Sequence, residues 1–152
     1  MMSSDLISID LNTKELEQLV NLGPRLPKST AKGIGTGLAH SILYLQSKTP
    51  PYPPKLPTSM YRRTGTLGRT LTGQTQSGEE GWVVNEVGGK GLKMYGRWGT
   101  KVPYGHWVVG EDQGAAFIDR WWQLSDILAA ELNAIVGLIE KDVWVEIKTL
   151  LK

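Results

Sequence analysis

"WWQLSDILAAELNAIVGLIEKDVWVEIKTL", Trp121 to Leu150, is the stretch whose reading decides the fold. Trp121, Leu124, Leu128, Leu132, Ile135, Ile139, Val143, Ile147 and Leu150 recur at steps of three and four, which the 3.6-residue helical turn lines up on one side. The spacing predicts an amphipathic helix of about 30 residues. Asp119 or Ser125 is placed to cap its start, and Glu131, Glu140, Lys141, Glu146 and Lys148 fall mostly off the stripe. A second row, Ile127, Ala130, Ala134 and Leu138, makes the apolar face wider than one small sheet needs. Packing on a sheet of the same chain and burial against a neighbouring subunit are both open to it.

Upstream, "WVVNEV" (82–87) and "LKMYGRW" (92–98) flank Gly88-Gly89-Lys90-Gly91 and predict an antiparallel hairpin turning there. "HWVVG" (106–110), after Pro103 to Gly105, reads as a third short strand, and the alternating "LISIDL" (6–11) as an edge strand. A helix is expected over "KELEQLVNL" (14–22), stopped by Gly23-Pro24. A longer one is expected from Ser29 or Thr30 to Lys48, with Ile34, Leu38, Ile42 and Leu45 on one face. Gly33, Gly35 and Gly37 weaken that helix by roughly 1 kcal/mol each, unless they serve close helix packing. The fold class is α+β: a small, mostly antiparallel sheet packed against a long C-terminal helix and N-terminal helices. One domain is expected over residues 1–152, with an extended arm at 49–72.

Composition narrows the chemistry. With 152 residues, 40% of them apolar, the chain is long enough to bury a core. It has no cysteine, which excludes disulfides, thiolate metal sites and a cysteine nucleophile. A net charge of +2 is small for a nucleic-acid or membrane binder. No stretch reaches the roughly 18 apolar residues of a spanning helix, and "MMSSDLISID" lacks the regions of a signal peptide, so a cytoplasmic site of synthesis and no membrane partner are expected. Six tryptophans point to large contact surfaces or to core packing.

Catalytic readings find few residues to use. The two histidines, His40 and His106, have no companion ligands at metal-binding spacing, and "GIGTG" (33–37) lacks both the dinucleotide spacing and the Lys-Ser/Thr pair of a phosphate loop. No G-x-S-x-G elbow occurs. Glu79-Glu80 and Glu111-Asp112 read as solvated turn charges. The expectation is no enzyme, no catalytic residue, no cofactor and no metal.

What remains is "TPPYPPKLPTSMYRRTGTLGRTLT" (49–72), which holds five of the eight prolines and cannot be regular helix or central strand. Its P-x-x-P patterns, Pro51 to Pro54 and Pro54 to Pro57, suit a stiff internal arm better than a linear ligand motif. Thr64-Gly65-Thr66 turns the chain, a threonine hydroxyl is placed to cap a short helical turn, and Leu67 and Leu71 anchor it. Arg62, Arg63 and Arg69, joined by Lys55, are then expected to project as the one local concentration of positive charge. A solvated basic loop, docking on carboxylates of another subunit and contact with a nucleic-acid backbone all fit that pattern.

In the order of a helical N-terminal half, this arm with its Thr64-Gly65-x-Leu67 turn behind Tyr61-x-Arg63, a strand pair, "VPYGHWVVG" (102–110) and a closing helix, the chain resembles the tail-component family of long-tailed bacteriophages. It departs from the family at Gly105, where alanine is usual, and at Val109, where a polar residue is common. The resemblance implies a nonenzymatic tail-completion or head–tail joining (neck) protein of the virion, made in the host cytoplasm and assembled as a ring, often of six copies, against other neck and tail proteins. Lys55, Tyr61, Arg62, Arg63, Leu67, Arg69, Trp98, Tyr104, Trp107 and Trp121 are the subunit-interface residues expected on that reading. A tail terminator or connector-adaptor is the alternative within the class. A nucleic-acid-binding module using the basic residues of the arm is the alternative outside it.

Overall fold

The computed structural model describes residues 8–9, 26–59 and 62–150. The helix expected over 14–22 lies outside them, as does Tyr61. The architecture is α+β, built from β1 (Ser8–Ile9), α1 (Leu26–Lys48), α2 (Thr66–Thr72), β2 (Val83–Lys90), β3 (Lys93–Thr100), α3 (Gly105–Val109) and α4 (Leu124–Leu150). The strands form one antiparallel sheet in the order β1-β3-β2. Among the described residues no helix is long and apolar enough to cross a membrane.

Helix α1 is the centre of the molecule. Its predicted face, Ile34, Leu38, Ile42 and Leu45, is buried. Burying each such side chain contributes roughly 1.5–3 kcal/mol. The helix begins earlier than Ser29, with Pro27 in its first turn, where the missing N–H would have had no helical partner. One side of α1 covers the sheet: a Cβ added at Gly96 of β3 would meet Leu38 and Ile42. Another side holds α4 antiparallel to it, and here two glycines set the distance. A Cβ at Gly33 would lie 2.6 Å from Cα of Val143, and one at Gly37 would lie 2.6 Å from Cα of Ile139. The run that resembled a phosphate loop is thus a packing seam. The long C-terminal helix lies against α1, and α1 in turn lies against the sheet.

Polar clasps line the seam. Lys32 pairs with Glu146 at 2.9 Å, His40 Nδ1 with Asp142 at 2.7 Å, and the Tyr44 hydroxyl donates to Glu131 at 2.5 Å. From the predicted stripe, Leu124, Ile135, Ile139, Val143 and Ile147 are buried, together with Ile127. Trp121 precedes the helix, which begins at Leu124, so neither of the expected caps is at the cap position: Asp119, at φ 61°, lies five residues before Leu124 and Ser125 lies inside the helix. Leu132 and Leu150 are exposed instead of buried, because contact with a single neighbouring helix uses a narrower strip than the sequence stripe offers.

The hairpin is present, with a different turn. Lys90 pairs with Lys93, leaving Gly91-Leu92 as a two-residue loop, and Gly88 and Gly89 belong to β2. Gly88 leaves room for the Tyr95 ring, whose hydroxyl would lie 2.5 Å from an added Cβ. On the outer sheet face Arg97 reaches Glu86 at 3.5 Å and lies over Tyr95 at 4.5 Å, while the Tyr95 hydroxyl donates to Glu86 at 3.0 Å.

"HWVVG" is not a strand. Residues Gly105–Val109 form the short helix α3, burying Gly105, Val108 and Val109 and turning His106 and Trp107 outward. A brief apolar run bounded by proline and glycine carries too few residues to distinguish a period of 2 from one of 3.6.

Candidate interaction surface

The arm is strapped to its own body along its base. The Tyr52 ring packs on the Trp121 ring at 5.0 Å between centroids, and its hydroxyl accepts from the Gly68 N–H at 2.5 Å. Trp122 donates its indole N–H to the Pro51 carbonyl at 3.3 Å. Arg63 closes the strap: Nη1 donates to the Pro53 carbonyl, and its guanidinium lies 5.2 Å above Trp121 and 5.7 Å from Tyr52. A planar, delocalised cation can stack on two aromatic rings and still donate at its edge, which an ammonium group could not do as well. Arg63 therefore does not project, contrary to the sequence expectation.

Arg69 is also turned inward. Its Nε and Nη2 donate to the two carboxylate oxygens of Glu79 at 2.8 and 2.5 Å, and Nη1 donates to the Thr64 carbonyl at 3.1 Å. This fork joins α2 to the loop before β2. Glu79, read from sequence as a solvated turn charge, is its structural partner and also accepts from the Gln76 N–H at 3.0 Å. The hydrogen bond from Arg69, and after it the one from Gln76, holds the Glu79 carboxyl down at about 2, below its ordinary 4.5, and the same pair raises the Arg69 guanidinium. A carboxyl whose proton affinity is lower in the folded chain stabilises the fold above the unfolded value and loses that contribution as pH falls through the folded one. Glu79→Gln is thus expected to lower the urea midpoint near pH 7, with the gap to wild type closing as pH drops from about 4.5 toward 2. A gap that is constant across that range contradicts the pairing.

The Thr64-Gly65-Thr66 turn forms with Gly65 as the residue before α2, at φ 79°, a conformation in which a side chain would be strained and an added Cβ would lie 2.5 Å from Arg69 Nη1. Gly65 at the cap position has no side chain to offer, and the expected threonine contact is a long one: the Thr66 N–H, first in α2, donates to the Thr64 hydroxyl at 3.5 Å. Leu67 and Leu71 are buried as the anchors they were read to be.

The expected interface residues thus divide. Leu67, Trp98 and Trp121 are buried in the chain's own core, and Trp98 donates its indole N–H to the Leu71 carbonyl at 2.9 Å. Their surface is already spent inside the monomer, so they are not available contact area. Arg63 and Arg69 are held as described. Lys55, Arg62, Tyr104 and Trp107 are exposed, Trp107 by 53%. Among the described residues neither Lys55 nor Arg62 makes an ion pair.

Sequence reasoning missed two features. Gln113 donates to the carbonyls of Val108 and Trp121 at 2.7 and 3.1 Å, tying α3 to the approach of α4, and no local pattern marks it. The second is the outward side of α4, where Leu132, Val136 and Trp144 are 44, 41 and 50% exposed. Leu132 and Val136, four apart, border the buried strip of Ile135, Ile139 and Val143, and Trp144, next to Val143, lies further round the helix. Leu132 stood in the predicted stripe, but neither that stripe nor the second row held Val136 or Trp144. Among the described residues no three His, Asp or Glu side chains converge as a metal site would need. Compared with family models, with curated proteins and with solved structures, the chain matches none.

Proposed function

We propose that this chain is a structural virion protein of a long-tailed bacteriophage, a tail-completion or head–tail joining component whose copies close into a ring in the neck or upper tail. The observation that carries the reading is the exposed apolar flank of α4, with Leu132, Val136 and Trp144 open to water beside the strip the helix packs on α1. Exposed large apolar residues aligned on one rigid element are the usual mark of a protein contact, and tryptophan is prominent among residues that dominate such contacts. Trp107 on α3 supplies a second exposed aromatic. The resemblance in order of elements adds the particle and the ring. A tail terminator or adaptor of the same assembly would use the same outer side of α4.

The nucleic-acid reading loses its strongest cations. Arg63 and Arg69 are engaged inside the chain, leaving Lys55 and Arg62 of the arm for a phosphate backbone, which is a small charge for counterion-driven binding.

Two experiments test the proposal. Gold-labelled antibody against the chain is expected to mark the head–tail junction of purified particles, and particles that lack the chain would refute the virion role. Trp144→Glu is expected to weaken self-assembly by about 2 kcal/mol or more, as loss of a central aromatic contact does, while shifting monomer stability by about 0.5 kcal/mol or less. Sedimentation and thermal melting read the two effects separately. Intact assembly in this variant removes the outer side of α4 from the contact.

A further inference from the structure

The strap leaves its tip free. Between the Tyr52–Arg63 clasp and the turn closed by Ser59 N–H on the Leu56 carbonyl at 3.0 Å, Pro54, Lys55, Leu56, Pro57 and Thr58 are all exposed. Three of the chain's prolines, Pro53, Pro54 and Pro57, stiffen this tip, so it loses little conformational freedom on docking. It carries one cation, Lys55, beside one exposed aliphatic side chain, Leu56, with Arg62 exposed on the returning strand of the loop.

The opposite chemistry lies where α4 begins. An open groove of about 570 Å³ is walled by Ile118 and Trp122 and edged by Glu111, Asp119 and Asp126. Ile118 is exposed and Trp122 half-buried, so a mostly polar groove carries an apolar stretch open to water. Its one guanidinium, Arg120, donates to the Ala116 carbonyl at 3.2 Å and leaves the three carboxylates in excess. Among the described residues none of the three makes an ion pair. A proline-stiffened segment with a basic residue is what an aromatic-walled, acid-edged groove recognises, the proline rings resting on the indole and the cation meeting the carboxylates.

The geometry points to the exposed tip around Lys55 of one copy docking in the Glu111–Trp122–Asp126 groove of a second copy of this chain. The charges of the two surfaces are opposite in sign, and among the described residues neither set is ion-paired within the single chain. Arg63 acts here as a positioning residue: by holding the base of the strap on Tyr52 and Trp121 it fixes the direction in which the tip leaves the body. This contact rests on the reading that copies of the chain assemble with one another, and it adds a named pair of surfaces to the outer side of α4.

Charge exchange between the two surfaces tests it. One variant carries Lys55→Glu and Arg62→Glu; the other carries Glu111→Lys and Asp126→Lys. Each alone sets like charges against each other and is expected to need at least about tenfold more protein to assemble, measured by sedimentation velocity. In an equal mixture the reversed tip of one variant meets the reversed groove of the other, and the native tip of the second meets the native groove of the first, so assembly is expected within about threefold of wild type. Should Asp126→Lys disturb the start of α4 in a thermal melt, Glu111→Lys alone replaces it. Assembly unchanged in either variant, or no recovery on mixing folded variants, overturns the tip-and-groove contact while leaving assembly through α4 standing. A wild-type chain that stays monomeric overturns both.

Discussion

Trp98→Ala is expected to destabilise the chain by about 3–5 kcal/mol, the cost of emptying a large buried site that cannot fully collapse. That loss is a large fraction of the 5–15 kcal/mol a domain of this kind has in total. Trp98 is 1% exposed in the core between the sheet and α2, and its indole N–H satisfies the Leu71 carbonyl at the end of α2. Trp98→Phe separates the two contributions: it keeps most of the ring volume and strands the carbonyl, for an expected loss of about 1–3 kcal/mol. Urea unfolding followed by far-ultraviolet circular dichroism measures both. A Trp98→Ala midpoint equivalent to wild type would mean that this side chain does not hold α2 to the sheet.

The second large effect is expected at the helix seam. Gly33→Ala with Gly37→Ala places methyl groups where Cα atoms of Val143 and Ile139 stand 2.6 Å away, so α1 and α4 must separate. Overpacking of this kind costs about 1–3 kcal/mol per site, against a gain of roughly 1 kcal/mol per site in helix propensity. A net loss of up to about 4 kcal/mol is expected for the pair, less than twice the single values if the first methyl has already opened the seam. Gly35→Ala is the control, because its methyl would meet the terminal methyl of Met94 at 3.1 Å, and that flexible side chain can move. It is expected to be neutral or to stabilise by up to about 1 kcal/mol. A double variant as stable as Gly35→Ala would contradict the close approach.

These two sites also show how far the sequence could be read. Periodicity was sufficient for α1, α4 and the hairpin, since each sustains one apolar repeat over enough residues to be unambiguous, and the α+β class follows from them. It failed at Gly105–Val109, where the run was too brief, and at Gly88-Gly89, which looked like a turn but lie within a strand, Gly88 making room for Tyr95 and Gly89 for the backbone of Lys93 and Met94. The arm was legible as proline-stiffened and anchored by Leu67 and Leu71. The direction of its arginines was not, because Arg63 finds Trp121 and Arg69 finds Glu79 only after the chain has folded. Lone charges in sequence do not reveal whether an aromatic face or a carboxylate waits for them. Tryptophan was ambiguous for a related reason: Trp98 and Trp121 went to the core and Trp107 and Trp144 to the surface, each according to the element that carries it.

The central claim is that the outer side of α4 and the exposed strap tip exist to be covered by other copies. Sedimentation velocity on the purified wild-type chain, across a dilution series at near-physiological salt, tests it most directly. A single closed multimer of several 16.8 kDa protomers that dissociates only on dilution is the expected result. A species that sediments as one protomer at every concentration would contradict it.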